Sequence, residues 1–173
     1  MAPPRPDLKI EPLASHHDRN GFSSGIDSLD GYLWTQASQD VRRKANGVFI
    51  LSEAGKPEIV LGYYTLCALG LAQGEVPAAA RKHVPRYPQV SATLVGRLAV
   101  STARQGEGLG AILLADAVRR AYAAASIIGS SMLVTDAINE GAAAFYEGFG
   151  FVRLPDSMRL VLPMHVIEKM LKV

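Results

Sequence analysis

The stretch Ala103–Leu114, ARQGEGLGAILL, sets Gly106, Gly108 and Gly110 at alternate positions and then turns into an aliphatic run. Before it lies the β-rich segment VSATLVGRLAV, and after it a helical pattern begins. A strand, a glycine turn and a helix in that order present free backbone N–H groups at the positive end of a helix dipole, which is phosphate-binding chemistry. Glycine lets the ligand come within contact distance of the backbone. Spacing separates the kinds of phosphate loop. A Walker loop needs Lys and Ser or Thr after its last glycine, whereas Ala111 and Ile112 follow Gly110. A dinucleotide fingerprint needs G-x-G-x-x-G with an acid about 20 residues on. Here the glycines run G-x-G-x-G, and the distal position falls in AYAAAS. Without a ligand, the same glycines serve a tight strand-to-helix connection.

A second cluster, NEGAAAFYEGFGF, holds Tyr146. A phenol with a reference pKa near 10 is protonated at neutral pH, so it donates a proton well and accepts one poorly. Phe145 and Phe149 stand four apart on one helical face and suit the core, with Tyr146 on the adjacent face. Asn139 opens this helix as its N-cap. Other chemical candidates fail on context. Gly21–Gly25, GFSSG, matches the G-x-S-x-G of a serine-hydrolase elbow, but the preceding ASHHDRN is too polar to be the buried strand such an elbow requires. His165, in the tail, has no supporting partners, and the serines are read as helix-cap residues. His16 and His17 are adjacent and do not share a helical face, so no metal site is expected. Cys67 is the single cysteine and sits in an apolar run, which leaves core packing as its role and excludes a disulfide framework.

These groups need a scaffold, and the composition supplies one. The chain has 173 residues, of which 49% are apolar and 20% charged, enough for the core of one ordinary domain. A net charge of +2 permits an anionic partner without demanding one. The start is proline-rich and polar where a secretory signal needs an apolar region, and no run reaches 18 apolar residues, so a cytoplasmic, soluble protein with no membrane partner is expected.

Along the chain, residues 1–20 read as an irregular arm, with Pro3, Pro4, Pro6 and Pro12 leaving room for a short edge strand near Leu8 to Ile10. Ile26, Leu29, Leu33 and Ala37 then recur at helical spacing, with Gly31 as a weak point. GVFILSE and EIVLGYYTLCALGL read as two strands joined by a turn at AGKPE. Between prolines 77 and 85 only a short helix fits, about Ala78 to His83. The glycine turn leads into a helix from Gly108 to about Ile128, with Leu109, Ile112, Leu113 and Ala117 on its apolar face and Gly129 at its end. SMLVTDA reads as a strand buried on both faces, and FVRL with MRLVLPM as a final strand pair before a tail at 164–173.

Gln105-Gly106-Glu107-Gly108-Leu109-Gly110 matches Q/R-x-x-G-x-G/A, and here the sequence resembles the GCN5-related N-acetyltransferases, the GNAT family. GRLAV before the loop and AAAFYEGFGF beyond the next strand stand where that family keeps its acetyl-donor strand and its A-x-x-F-Y-x-x-x-G-F element. With GFSSGIDSLDGYLW at the start, the set is similar to the acetyltransferase toxins of bacterial toxin–antitoxin modules, which acetylate aminoacyl-tRNA. The resemblance implies a single mixed α/β domain with a mostly antiparallel, twisted sheet of six to seven strands, splayed at the acetyl-CoA strand. It implies acetyl-CoA as donor, contacted by the backbone of Leu98, Ala99 and Val100. Arg104 and the loop residues Gln105, Gly106, Glu107, Gly108, Leu109, Gly110 and Ala111 would hold its pyrophosphate. Tyr146 would be the general acid, and Asn139, Phe145 and Phe149 further cofactor contacts. Arg42, Arg43, Lys44, Arg81, Lys82, Arg86 and Arg97 are candidates for the phosphates of a tRNA acceptor, although each could equally be a solvated surface charge. A ribbon-helix-helix antitoxin and a homodimer follow from the same resemblance. The alternatives are an acetyltransferase for a small amine or a protein N-terminus, and an interaction module that keeps the fold without the activity.

Overall fold

The computed structural model describes residues 6–172, so Pro3 and Pro4 of the expected arm lie outside the described residues. Seven strands form one sheet: β1 (Leu8–Pro12), β2 (Gly47–Glu53), β3 (Gly62–Ala72), β4 (Gln89–Val100), β5 (Met132–Asp136), β6 (Val152–Arg153) and β7 (Arg159–Pro163), in the spatial order β1-β2-β3-β4-β5-β7-β6. Helices α1 (Asp27–Thr35), α2 (Ala37–Arg42), α3 (Ala78–Arg81), α4 (Leu109–Ile128), α5 (Glu140–Phe149) and α6 (Met164–Leu171) lie between and after them. β1 with β2, β2 with β3, β5 with β7 and β6 with β7 pair antiparallel, and β4 with β5 pairs parallel. A parallel pair cannot be closed by a tight turn, and the 20-residue α4 supplies the crossover.

The chain divides into two compact units, the residues up to Leu66 with Arg97–Ala117, and Cys67–Gly96 with Val118 onward. In the first, α1 lays Leu29, Tyr32 and Leu33 with Phe22 and Ala37 against Val48, Ile50, Tyr63 and Ala99. Gly62 is required there by sterics: a Cβ would stand 2.7 Å from the Ala99 carbonyl oxygen and 2.9 Å from a Leu113 methyl. In the second, Leu71, Val76, Ala80 and Val84 pack with Val90, Ala92, Met132, Val134 and Val161. β5 is buried from Met132 through Thr135, the pattern of a strand covered on both faces.

The structure departs from the sequence expectations at several points. The first helix is two, broken at Gln36 and not at Gly31. Gln36 bonds to Asp40 through both its amide nitrogen and its carbonyl, which re-aims the chain. The N-cap of α1 is Ile26, with no side-chain cap, so the serines before it do other work. β3 begins only at Gly62, because turns at Glu53–Lys56 and Lys56–Ile59 consume the preceding residues. The tail is the helix α6, with Met164 and Ile167 buried. Cys67 is half-buried on β3. Among the described residues no helix is long and apolar enough to cross a membrane.

Leu33 is 0% exposed at the centre of the first core. Leu33→Ala is expected to cost about 2–5 kcal/mol of unfolding free energy, read from denaturant titration.

Candidate active site

The glycine turn is built in the first unit. β4 ends at Val100, a single 3₁₀ turn covers Thr102–Arg104, and α4 starts at Leu109. Gly106 and Gly108 both have positive φ, +82° and +80°, and a Cβ at either would meet nothing within 4 Å. Two left-handed residues so close together turn the backbone N–H groups outward. The first helical hydrogen bond of α4 runs from Ile112 N–H to the Gly108 carbonyl at 3.3 Å, so Leu109, Gly110 and Ala111 offer the unpaired N–H groups of a helix start. Open space beside Gly106 and Gly108 and unpaired N–H groups at the head of a long helix are features that a pyrophosphate site requires.

The side chains around the turn are less free than the sequence implied. Arg104 donates from Nη1 to Glu53 at 2.8 Å and from Nε to Glu107 at 2.9 Å. These two hydrogen-bonded carboxylates hold the guanidinium pKa up, Glu107 first and Glu53 second. Two carboxylates share the one guanidinium, and Lys56 lines the same pocket beside Glu53 and Arg104. Gln105 does not point outward: its amide nitrogen donates to the Ser24 carbonyl at 3.0 Å and the Val100 carbonyl at 3.1 Å.

Arg97, on the same unit's part of β4, lies with its guanidinium 3.5 Å from the centre of the Tyr32 ring. Tyr32 donates its hydroxyl to Asp40 at 2.9 Å. Asn46 donates to both, at 3.1 Å each. Burial first and the Asp40 hydrogen bond second push the Tyr32 phenol up to about 12. Arg42, Arg43 and Lys44 are exposed at the end of α2.

Glu11, His16 and His17 also meet in this unit, which their sequence spacing did not suggest. Both imidazoles place Nε2 2.9 Å from the same Glu11 oxygen. His17 Nδ1 accepts the Ala14 N–H at 3.0 Å, so Nε2 carries the proton and donates to Glu11. Burial, ahead of the other causes, keeps the His17 pKa below its ordinary value.

The second unit holds Tyr146. The sequence placed Phe145 and Phe149 in the core and Tyr146 beside it, and the structure reverses this: Tyr146 is 6% exposed while Phe145 and Phe149 are half-buried. Its ring meets Phe145 and Phe151 edge-on, with centroids 5.3 and 5.5 Å away. Gly150 ends α5 and lets Phe151 turn back under the tyrosine, which the i, i+4 pattern alone does not reveal. Burial pushes the Tyr146 pKa above its ordinary value, against a hydrogen bond with Thr135. At neutral pH the group is a protonated phenol. Thr135, 1% exposed, also donates to the Val95 carbonyl at 3.0 Å. The β4–β5 register ends at that Val95–Thr135 pair, five residues before β4 does. Asn139 is the N-cap of α5, accepting the Ala142 N–H at 2.8 Å. Arg81, Lys82 and Arg86 line a groove of 640 Å³ with Gln73, Ala78 and Val84. Sequence reasoning missed Thr135, Tyr32 and the links of Gln105. Asp30 carried a usable signal, as a carboxylate set between Leu29 and Leu33 on the apolar stripe of α1.

Residues 45–153 match the family described as the acetyltransferase (GNAT) domain. Over 153 residues the chain is 36% identical to a tRNA-acetylating toxin of Mycobacterium tuberculosis, a match spanning 88% of this chain and 89% of that protein. It is similar to the structure of AtaT complexed with acetyl-methionyl-tRNAfMet, with a TM-score of 0.86 and 31% identity over 95% of this chain and 99% of that one. It is also similar to a tyrosine-to-phenylalanine mutant of the AtaT toxin bound to the C-terminus of the antitoxin AtaR and acetyl-CoA, with a TM-score of 0.82 and 31% identity over 96% and 99% of the two chains. The outward-turned glycine loop, the buried phenol and a likeness running through nearly the whole chain converge: this protein belongs to the GNAT family of acetyltransferases.

Proposed function

We propose that the chain transfers acetyl from acetyl-CoA to the α-amine of an aminoacyl-tRNA, blocks translation by doing so, and is the toxin of a toxin–antitoxin pair. The observation that carries the reading is the likeness, over 95% of the chain, to a toxin seen with its acetylated aminoacyl-tRNA. The cofactor half rests on the Gly106–Gly108 turn at the head of α4.

Acetyl-CoA supplies a thioester carbonyl for the amine to attack. The N–H groups from Gln105 to Ala111 hold the pyrophosphate, with the negative ends of the ligand at the positive end of α4. Arg104, held through Nε by Glu107 and through Nη1 by Glu53, adds positive charge to the turn and keeps Nη2 for a phosphate. The backbone of Leu98, Ala99 and Val100 orients the acetyl carbonyl and the pantetheine arm. Phe145 and Phe149, half-buried, keep apolar surface for the cofactor, and Asn139 contributes through its side-chain nitrogen, since its oxygen is taken by the α5 cap. Tyr146 gives its proton to the thiolate that departs as the C–S bond breaks, and the proton that the amine nitrogen sheds on becoming an amide restores the phenol. Its buried, protonated phenol suits that donation, and an α-amine with a reference pKa of about 7.7–8.0 is partly neutral without a base.

The basic groove of Arg81, Lys82 and Arg86, and the cations Arg42, Arg43, Lys44 and Arg97, meet the phosphates of the acceptor RNA. The antitoxin is a ribbon-helix-helix protein, and the toxin works as a homodimer in the cytoplasm, where charged tRNA is found.

Purified protein given labelled acetyl-CoA and total charged tRNA is expected to yield N-acetyl-aminoacyl-adenosine after nuclease digestion. Tyr146→Phe is expected to lower kcat about 10²–10⁴-fold with its fold intact by circular dichroism. An unchanged rate in that variant removes the acid role, and label confined to a small amine or a protein N-terminus removes the tRNA. Gly108→Ala forces a residue at φ +80°, with strain of roughly 1–2 kcal/mol, and is expected to abolish the rise in Tm that acetyl-CoA gives the wild type. Replacing Arg81, Lys82 and Arg86 together by Ala should raise KM for tRNA and flatten its salt dependence while KM for acetyl-CoA stays constant.

A further inference from the structure

The GFSSG run is not a hydrolase elbow, and the acetyl-transfer reaction makes no use of it. Three consecutive carbonyls in it accept hydrogen bonds: Phe22 from the Trp34 indole at 2.8 Å, Ser23 from Thr102 N–H at 2.8 Å, and Ser24 from the Gln105 side chain at 3.0 Å. Thr102 and Gln105 bracket the entry to the cofactor turn, so this segment grips both ends of that entry. Gly25 belongs to the same grip. Its φ is +84°, and a Cβ there would touch the Thr102 methyl at 3.4 Å.

The segment is itself fixed from α1. Asp30, 2% exposed, accepts the Ser24 N–H at 2.8 Å and the Ser24 hydroxyl at 2.6 Å on one oxygen, and the Ser23 hydroxyl at 3.4 Å on the other. Ser24, 6% exposed, uses the same hydroxyl oxygen to accept the Ile26 N–H at 3.2 Å. A buried carboxylate with three donors aimed at it costs desolvation, and here that arrangement sets the direction of a single peptide carbonyl. That carbonyl and the one of Val100 take the two amide protons of Gln105, the residue immediately before the left-handed Gly106.

We propose that Asp30 and Ser24 are positioning residues for the cofactor: their hydrogen bonds orient the Ser24 carbonyl, which holds Gln105 and thereby preorganises the N–H groups of the glycine turn for the acetyl-CoA pyrophosphate. The inference rests on the reading of that turn as the acetyl-CoA site. A glycine-rich, exposed turn loses much conformational freedom on binding a ligand, and a framework that removes this freedom beforehand raises affinity without a new contact. Asp30 therefore acts on donor binding and leaves both the proton transfer and the acceptor alone.

The test uses the full chain, with acetyl-CoA affinity measured by titration calorimetry and kcat and KM measured for each substrate. Ser24→Ala, Asp30→Asn and Gln105→Met are each expected to raise the Kd of acetyl-CoA about 5- to 10-fold. At saturating acetyl-CoA, kcat of Ser24→Ala and Asp30→Asn should stay within about twofold and their acceptor KM unchanged, because the affected step is donor binding. The Ser24→Ala/Gln105→Met double variant should be no worse than the more affected single variant, since both break one linkage. Additive losses overturn the linkage. A lowered Tm with unchanged acetyl-CoA affinity in Ser24→Ala overturns the positioning role, and does so even where Asp30→Asn fails to fold. A wild-type chain that binds no acetyl-CoA overturns the cofactor reading first, before any variant is compared.

Discussion

Backbone N–H groups without a protein acceptor are the constraint on which the site depends. A buried chain pairs nearly all of them, and a helix start leaves a few unpaired by its geometry. This chain places such a start after two left-handed glycines, in open space, and then spends side-chain hydrogen bonds on keeping it there. Gln105 gives both amide protons to backbone carbonyls and Arg104 is shared between two carboxylates, so the polar side chains at the entry serve the shape of the turn. In the proposed reading the anion chemistry is left to the peptide backbone, which cannot drift as a long side chain can.

The two halves of the chemistry are held by different means. The cofactor turn is exposed and is fixed by directional hydrogen bonds. Tyr146 is fixed by packing, wedged between Phe145 and Phe151. Burial does more than locate it. Low polarity around a phenol disfavours the phenolate, so the environment that packs the ring also keeps the proton that the proposed acid role needs. A lysine or histidine buried there would be driven toward its neutral, proton-poor form, and tyrosine is the side chain for which burial and acid duty agree.

Membership of the acetyltransferase family accounts for the loop, the strand and the phenol. The polar network behind the loop is specific arrangement: Asp30 on an apolar helix stripe, two serines and a tryptophan hold a five-residue segment whose own motif suggests unrelated chemistry. Arg97 stacked on Tyr32 is a comparable case, since its charge is directed by a ring that is in turn fixed through Asp40 and Asn46.

Much was legible along the chain because it depends on neighbours in sequence. The glycine spacing, the Asn139 cap, the apolar run of β5 and the aliphatic face of α4 are local patterns, set by backbone geometry and by periods of two and 3.6 residues. With the motif order they were enough to indicate the fold and the donor. What depended on distant pairs was not legible. Whether Tyr146 or its phenylalanine neighbours faced inward was decided by Phe151 returning past Gly150, and the fate of Gln105 by a carbonyl 81 residues earlier. Glu11 met His16 and His17 through the turn that the His17 N–H closes on the Ala14 carbonyl, and the expected tail became a helix because Met164 and Ile167 found a core to enter. A periodic pattern reports which residues prefer burial or a turn, and only the closed tertiary structure decides which partner each polar atom obtains, because hydrogen bonds are directional and their donors and acceptors come from far apart in the chain.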